Sequence, residues 1–170
     1  MHDLTWLNSL PPAEAEKELL QCCGSTFWAH QMAEARPFEN LEALFATANE
    51  IWWSLDRNDW LEAFRSHPKI GEKKAADPVS TQAGQWSGQE QAGVATSSQE
   101  TADSLTRLNR AYEEKFGFIY IICATGKTSG ELLSALRERL EHDPVAELPI
   151  AAAEQSKITV LRLKKLLTSG

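Results

Sequence analysis

The sequence is poor in cysteine and in long apolar runs, and each shortage excludes a class of protein. Its three cysteines, two of them adjacent at Cys22 and Cys23, cannot form the disulfide framework of a small secreted domain. None has the CxxC spacing of a zinc site, and Cys123 is predicted to be a small buried hydrophobe rather than a nucleophile. The longest apolar run, residues 118–124, is far too short to cross a bilayer. We therefore expect no metal site and no transmembrane segment.

Basic residues are also in deficit, because 17 lysines and arginines stand against 24 aspartates and glutamates. The resulting formal net charge of −7 argues against a nucleic-acid surface, which needs a basic patch. No basic amphipathic segment indicates membrane binding, and the first residues lack the charged and apolar regions of a signal peptide. Together with the odd number of cysteines, these absences predict a cytoplasmic protein that binds neither nucleic acid nor membrane.

Helical periodicity, in contrast, is present along most of the 170 residues. Apolar side chains recur at the spacing of one helix face, and no alternation of period two is sustained. Segments with this pattern begin near Ala13, His30, Leu41, Trp60, Leu105, Leu132 and Ile158. Since this length is typical of one domain, we predict a single compact domain over residues 1–170. Its predicted fold class is all-α, with about seven to nine helices around one core.

Prolines and glycines mark the limits of this pattern. Pro37 ends the short helix predicted over residues 30–36, and Gly117 ends a longer one. Residues 71–86 are rich in Gly, Lys, Asp, Pro and Gln, and they are predicted to form a loop that is either functional or disordered. Pro149 has no N–H to donate, so we expect a kink or a late helix start there.

His67 is the first residue that could carry chemistry. It continues the apolar face formed by Trp60 and Phe64, and Pro68 after it ends the helix. A histidine at such a position changes its charge near neutral pH and is suited to proton transfer. A half-buried histidine that only packs and caps the helix is the more common case, so both interpretations stay open.

Residues 87–91 are the second candidate. Ser87 and Glu90 have the spacing of a capping box, which predicts that they begin a helix and satisfy its first N–H groups. The functional interpretation uses the same helix start, whose free N–H groups bind anions and where Gly88 lets a ligand come close. Glu90 would then accept a ligand N–H or act as a general base.

Arg162 is the third candidate. It projects from the mostly apolar stripe of the last helix, and Glu154 lies two turns before it on the same face. A structural ion pair or an arginine at the edge of the core explains this placement. A bidentate clamp on a substrate carboxylate or a planar amide explains it equally well.

Five motifs, taken together and in this order, resemble the OHCU decarboxylases. They are SHPKIG at 66–71, WSGQEQAG at 86–93, LNxxYxxKFGF at 108–118, ICAxGK at 122–127 and ExxKIxxxRL at 154–163. Enzymes of this family decarboxylate 2-oxo-4-hydroxy-4-carboxy-5-ureidoimidazoline, the last step from urate to (S)-allantoin. The family is all-α, free of cofactors and usually dimeric. The resemblance therefore implies a homodimer that acts on this small-molecule substrate with no cofactor and no metal.

The resemblance also implies which residues form the site. His67, Glu90 and Arg162 are the catalytic residues that it implies. The substrate-binding residues that it implies are Pro68, Ser87, Gly88, Gln89, Glu90, Gln91, Tyr120, Ile121, Ile122, Cys123 and Ala124. The sequence departs from the family pattern at Ser66, Gly88 and Pro149, and none of these changes removes a catalytic group. No hydroxyisourate-hydrolase domain follows, so we expect the form with a single activity.

Two other functions remain alternatives to this decarboxylase. In the first, the chain is a catalytically silent α-helical interaction module, and the three polar side chains are only helix caps and ion pairs. In the second, it is a different small-molecule lyase or hydrolase on the same scaffold. A silent module has no physical need to keep His67, Glu90 and Arg162 together, which favours an enzyme.

Overall fold

The computed structural model describes residues 2–72, 75–76, 78–94 and 97–168. Within these residues its helices are α1 (Leu4–Ser9), α2 (Pro12–Leu20), α3 (Thr26–Glu34), α4 (Leu41–Ser54), α5 (Arg57–Arg65), α6 (Thr81–Glu90), α7 (Gln99–Phe116), α8 (Ser129–Leu140) and α9 (Pro144–Leu166). The only extended pairing in these ranges is an isolated bridge between Pro68 and Ala75. The all-α prediction is confirmed for the described residues, and their nine helices lie within the predicted number.

The chain divides into two units. The first consists of Met1–Ala63 with Ser156–Gly170, and the second is the continuous stretch Phe64–Gln155. Helices α1 to α4 belong to the first unit and α6 to α8 belong to the second, whereas α5 and α9 contribute residues to both. A single domain over residues 1–170 stays a prediction.

The first unit is assembled from capped helices that share an apolar core. Asn40 caps α4 as predicted, because its side chain accepts the N–H of Ala43 at 2.8 Å. Helix α3 packs against both α2 and α4, and Trp28 donates from Nε1 to the carbonyl of Ala48 at 3.1 Å. The largest buried side chains of this unit are Leu7, Leu19, Trp28, Met32, Leu44, Leu163 and Leu166. Each contributes about 1.5–3 kcal/mol by leaving water.

Two expectations about helix limits are wrong. The short helix predicted over residues 30–36 is α3, which begins earlier because the Ser25 hydroxyl accepts the N–H of Trp28 and caps it there. Of the kink or late helix start expected at Pro149, the late start is wrong, since α9 already begins at Pro144 and contains Pro149 in its second turn. The missing N–H at this point costs one hydrogen bond close to the helix start.

The second unit is built around aromatic side chains at the end of α7. The Tyr112 ring lies 4.5 Å from that of Phe116, 5.8 Å from Phe118 and 5.4 Å from Tyr120, measured between centroids. Helix α7 ends where predicted, because Gly117 takes a left-handed φ of 80° that glycine adopts without strain. The chain that follows Gly117 therefore turns back across the aromatic cluster.

The predicted loop over residues 71–86 is wrong in its second half, where α6 begins at Thr81. The Ser80 hydroxyl accepts the N–H of Ala83 at 3.0 Å and caps the helix. Burial of Ala83 and Trp86 stabilises a helix whose glycines and glutamines give it little intrinsic propensity. Three residues of the predicted loop lie outside the described part of the chain: Lys73, Lys74 and Asp77.

Candidate active site

His67 lies just beyond the end of α5, as predicted. Its backbone N–H donates to the carbonyl of Phe64 at 3.1 Å, and the helix ends at Arg65, ahead of Pro68. The side chain of His67 is buried. Its Nε2 atom is 2.6 Å from Oε1 of Gln155, which is fully buried in α9. The imidazole is therefore held at one nitrogen by an uncharged amide.

The segment that carries His67, residues 66–71, is tied down by side chains of two other elements. Asn109 of α7 donates from Nδ2 to the carbonyl of Ile70 at 3.0 Å. Gln91, directly after α6, accepts the N–H of Gly71 at its Oε1 atom, at 2.9 Å. Gly71 has a left-handed φ of 92°, which turns the segment toward Gln91 without strain. His67 is thus held by the local backbone as well as by its own side-chain hydrogen bond.

Ser87 and Glu90 lie in the last turn of α6, and this overturns their predicted place at a helix start. The helix already begins at Thr81, so Ser87 and Glu90 form no capping box, and no free N–H groups for an anion lie there. The backbone of Gln91 closes the helix by donating to the carbonyl of Ser87 at 3.1 Å. Both side chains are nevertheless buried, with exposed fractions of 4% for Ser87 and 8% for Glu90.

Residues 120–124 form a buried stretch that is neither helix nor strand. Backbone polar groups in such a place need other partners, and side chains of two helices provide them. Arg139 of α8 donates from Nη1 to the carbonyl of Ile121. Glu154 of α9 accepts the N–H of Cys123 at its Oε1 atom, at 3.2 Å. The predicted binding segment is therefore supported by side chains rather than by a sheet.

Arg139 belongs to a group of four residues that we call the Glu147 cluster: the buried Tyr112, Arg139 and Glu147, and the half-buried His142. The Glu147 carboxylate accepts from the Tyr112 hydroxyl at 2.7 Å, from Arg139 Nε at 2.5 Å and from His142 Nδ1 at 2.8 Å. Burial raises the pKa of Tyr112 well above its usual range, although the nearby Arg139 charge opposes this. No motif in the sequence predicted this cluster. The one available signal is Arg139 itself, a charged residue three positions after Leu136 on an apolar helix face.

The pKa of the Cys123 thiol depends on its burial and on the charges around it, including that of Glu90. Burial is the main cause of the raised pKa of Cys123. A hydrogen bond from the Thr125 backbone opposes this effect, whereas the negative charges of Glu154 and Glu90 add to it. The negative charge of Glu90 is therefore one of the charges that disfavour the thiolate of Cys123. A thiol with a raised pKa stays neutral, in keeping with its predicted role as a buried hydrophobe.

A cleft of about 680 Å³ lies between the segment after α5, α6 and the start of α7. The predicted substrate-binding residues that line it are Pro68, Ser87, Gly88 and Gln91. His67, Glu90 and residues 120–124 are not among its lining residues, and the Gln89 side chain is exposed. A Cβ atom added to Gly88 would meet nothing within 4 Å, so this glycine leaves open space on the cleft side of α6.

Arg162 lies in the first unit. It is 2% exposed, and its Nη1 atom donates to the carbonyl of Gln21 at 3.2 Å. Burial raises the pKa of Cys23 to about 12, and the positive charge of Arg162 opposes that rise. The same opposition acts on Cys22, whose pKa is also raised by burial. Arg162 is thus a buried charge with at least one backbone partner.

The described residues contain neither a metal-binding cluster nor a membrane-spanning helix. No group of three or more His, Cys, Asp or Glu side chains there is arranged to hold a metal ion. No helix among them is long and apolar enough to cross a membrane. All three cysteines are free thiols and buried.

Comparison with known proteins identifies a family. The OHCU decarboxylase family model matches residues 8–164. The uric acid degradation bifunctional protein TTL of Arabidopsis thaliana is 44% identical over 154 residues, which are 90% of this chain and 47% of that protein. The 2-oxo-4-hydroxy-4-carboxy-5-ureidoimidazoline decarboxylase of Amia calva is 33% identical over 132 residues, 78% of this chain and 75% of that protein.

A solved structure agrees with these sequence matches. A crystal structure of an OHCU decarboxylase in the presence of (S)-allantoin superposes with a TM-score of 0.78 at 40% identity. The match covers 90% of this chain and 99% of the crystallised one. The chain therefore spans about half the length of the bifunctional Arabidopsis protein but nearly all of the crystallised chain.

Proposed function

The chain belongs to the OHCU decarboxylase family, and from this premise we propose that it decarboxylates 2-oxo-4-hydroxy-4-carboxy-5-ureidoimidazoline to (S)-allantoin in urate degradation. The observation that carries the proposal is the family match over residues 8–164, which includes every candidate site residue. The geometry supports it, because His67 and Glu90 are buried polar side chains of one unit. In the same unit, Pro68 and Ser87 line a cleft within the size range of small-ligand sites.

The substrate's own chemistry determines what the protein must supply. The carbon that carries the carboxylate also carries a hydroxyl, and its neighbour is an imine carbon. When CO₂ leaves, its bonding electrons form a double bond to the imine carbon, and the imine nitrogen receives the displaced pair together with a proton from solvent. Because the substrate contains this electron sink, we propose that no cofactor is needed. The protein orients the substrate and moves protons with one handedness.

His67 is proposed as the group that takes the proton of the substrate hydroxyl. Loss of that proton turns the carbon–oxygen bond into a carbonyl, while a proton is added to the former imine carbon. Addition from one face of the ring sets the S configuration of the product. Glu90 is proposed as the second group for proton handling and for holding a ring or ureido N–H, since it is a buried carboxylate in the same unit as His67.

Arg162 is proposed as the third catalytic residue, on the family resemblance alone. Its planar guanidinium presents two parallel N–H groups, which suit a carboxylate or a pair of carbonyl oxygens. The substrate offers both kinds of acceptor. The Arg162 charge is 98% buried, which strengthens its attraction for an anionic ligand relative to an exposed side chain.

The remaining residues are proposed to bind the substrate. Those expected to contribute are Pro68, Ser87, Gly88, Gln89, Gln91, Tyr120, Ile121, Ile122, Cys123 and Ala124. Four of them line the cleft, and this supports a contact through side chains and through the open space at Gly88. Residues 120–124 are proposed to contribute through backbone groups. In this stretch the carbonyl of Ile121 is already bonded to Arg139, and the N–H of Cys123 is bonded to Glu154.

Oligomeric state and compartment are part of the same proposal. The family resemblance supports a homodimer, which sedimentation of the purified chain would test by its molecular mass.

The three free thiols support a reducing compartment such as the cytoplasm. We also keep the single domain over residues 1–170 as a proposal, which cooperative unfolding in one transition would support.

The activity is tested by adding the chain to urate that is being oxidised and hydrolysed in the same cuvette. A decarboxylase makes optically active allantoin appear rapidly, and circular dichroism detects it directly. If allantoin forms only slowly and as a racemate, the chain is a silent module and the proposal is wrong. Appearance of a different product from the same mixture would instead identify another lyase or hydrolase.

A further inference from the structure

The side-chain oxygen of Gln155 can act in only one way in its hydrogen bond with His67. Nε2 of His67 faces Oε1 of Gln155 at 2.6 Å, and both residues are buried. An amide oxygen has lone pairs and no hydrogen, so it can only accept. Nε2 must therefore be the donor. In the neutral imidazole, which has a single N–H, this leaves the lone pair on Nδ1.

We propose that Gln155 is a positioning residue that fixes His67 in the Nε2–H tautomer and so makes Nδ1 the basic nitrogen. The opposite tautomer would place two lone pairs face to face at 2.6 Å in a buried place, where the low local dielectric strengthens their repulsion. The role of Nδ1 toward the substrate hydroxyl rests on the proposed function. The tautomer itself does not depend on it.

Because Gln155 is an amide and not a carboxylate, it also affects which charge state of the His67 imidazole is favoured. A carboxylate at this position would stabilise the charged imidazolium, because an opposite charge within 4 Å favours the charged form. Gln155 is neutral, so it orients the ring without adding that bias. A histidine that must accept a proton has to begin the reaction neutral, and an amide partner is compatible with this requirement.

Helix α9 places Gln155 beside a residue with a related task. Glu154, the preceding residue, accepts the N–H of Cys123 and supports the buried segment of the candidate site. Two consecutive residues of one helix therefore hold His67 and the 120–124 segment. This juxtaposition links the orientation of the imidazole to that of the proposed binding backbone.

Nitrogen NMR tests the tautomer without any substrate. In uniformly ¹⁵N-labelled protein, long-range proton–nitrogen spectra of the neutral ring distinguish a protonated from an unprotonated nitrogen. The His67→Asn variant identifies the His67 signals by their disappearance. We expect Nε2 protonated and Nδ1 unprotonated. A wild-type ring with the proton on Nδ1 would overturn the proposal.

Variants of Gln155 test whether it is the cause. Gln155→Met has a similar length but no acceptor, so we expect the two ring nitrogens to move toward averaged shifts. Gln155→Glu keeps an acceptor, so Nε2 should retain its proton at a pH where the ring is neutral. The matched control is Thr159→Val, which removes a buried hydrogen bond to Cys23 one turn along α9 and should leave the tautomer unchanged.

Kinetics separate positioning from binding and from the proposed activity. We expect Gln155→Met to lower kcat by roughly tenfold or more with little change in KM, the pattern of a misplaced proton acceptor. An unchanged tautomer in Gln155→Met contradicts the proposal, and so does an unchanged kcat. If Gln155→Met does not fold, the wild-type and Gln155→Glu spectra still decide. If wild type forms no optically active allantoin, the proposed function fails while the tautomer result stands.

Discussion

The second unit contains two buried polar groups that differ in how their charges are matched. In the Glu147 cluster one carboxylate accepts from an arginine, a tyrosine and a histidine, so its charge is matched by three donors. At His67 one partner is the neutral amide of Gln155, which bonds Nε2. Full matching makes a group stable and unreactive, because any proton movement breaks several bonds. A neutral partner orients a titratable group and leaves its proton exchangeable. The comparison predicts that the first group affects stability and the second affects rate.

The largest expected effect is on rate, at His67. His67→Asn should lower turnover by about 10²–10⁴-fold, the usual contribution of a general acid–base group. The melting temperature should change little, because asparagine also has polar atoms and can follow the helix end beside Pro68. Initial rates of optically active allantoin and a thermal melt check both points. Unfolded protein would show instead that His67 is structural, and a wild-type rate would remove its catalytic role.

The next effect is on stability, at the Glu147 cluster. Glu147→Gln leaves the buried Arg139 charge without its counter-ion, which typically costs about 3–5 kcal/mol. The melting temperature should fall by roughly 6–20 °C, at about 2–4 °C per kcal/mol for a chain of this size. Glu113→Gln is the control, because it breaks the half-exposed pair with Lys69 and should cost at most about 1 kcal/mol. Equal losses in the two variants would contradict this account of the cluster.

Glu90→Gln should resemble His67→Asn rather than Glu147→Gln. Turnover should fall by about 10²-fold, since an amide neither takes a proton nor carries charge. The melting temperature should be nearly unchanged. Glu90 lies in the last turn of α6, where the negative end of the helix dipole disfavours a negative charge, so losing that charge costs little stability. Near-normal turnover, measured as for His67→Asn, would make Glu90 a packing residue only.

The sequence predicted the parts of the fold that have local signals. Asn40 before α4 and Gly117 after α7 act through contacts within a few residues, and both were recognised. Helix α6 was not, because its glycines and glutamines resemble a loop and its formation depends on burying Ala83 and Trp86.

The candidate site shows the same limit. His67 was identified from its place after a helix and before Pro68. Its partner Gln155 lies 88 positions away, and no pattern along the chain connects the two. Ser87 and Glu90 were identified as a helix start, although they lie at a helix end. The motif at residues 86–93 predicted site residues through the family resemblance. It was misleading about local structure, because the Ser-x-x-Glu spacing occurs at the C-terminal end of helices as well as at the N-terminal end.

Arg162→Lys should cost more than tenfold in turnover, because an ammonium cannot reproduce two parallel hydrogen bonds. Since lysine keeps the positive charge, the melting temperature should change only slightly. Steady-state rates and a thermal melt of the same preparation measure the two effects. A large drop in melting temperature with retained turnover would assign Arg162 to stability, together with the Glu147 cluster.

The smallest effect is expected at Gly88, which lines the cleft. Gly88→Ala should raise stability by about 0.5–1 kcal/mol, because its Cβ meets open space within a helix. Gly93→Ala is the matched opposite, since its Cβ would lie 2.3 Å from the carbonyl oxygen of Lys127 and must force the backbone apart. Thermal melts of both variants give the sign. A stabilised Gly93→Ala protein would contradict the close approach seen there.

The most direct test measures rate and stability on the same two variants, His67→Asn and Glu147→Gln. Each purified protein is melted, and its initial rate of optically active allantoin formation is recorded well below the melting temperature. The account predicts that His67→Asn melts like wild type with its rate nearly lost, while Glu147→Gln melts much earlier and keeps far more of its rate than His67→Asn does. The contrary result is a His67→Asn protein that loses stability and keeps its rate, or two variants that lose both properties alike.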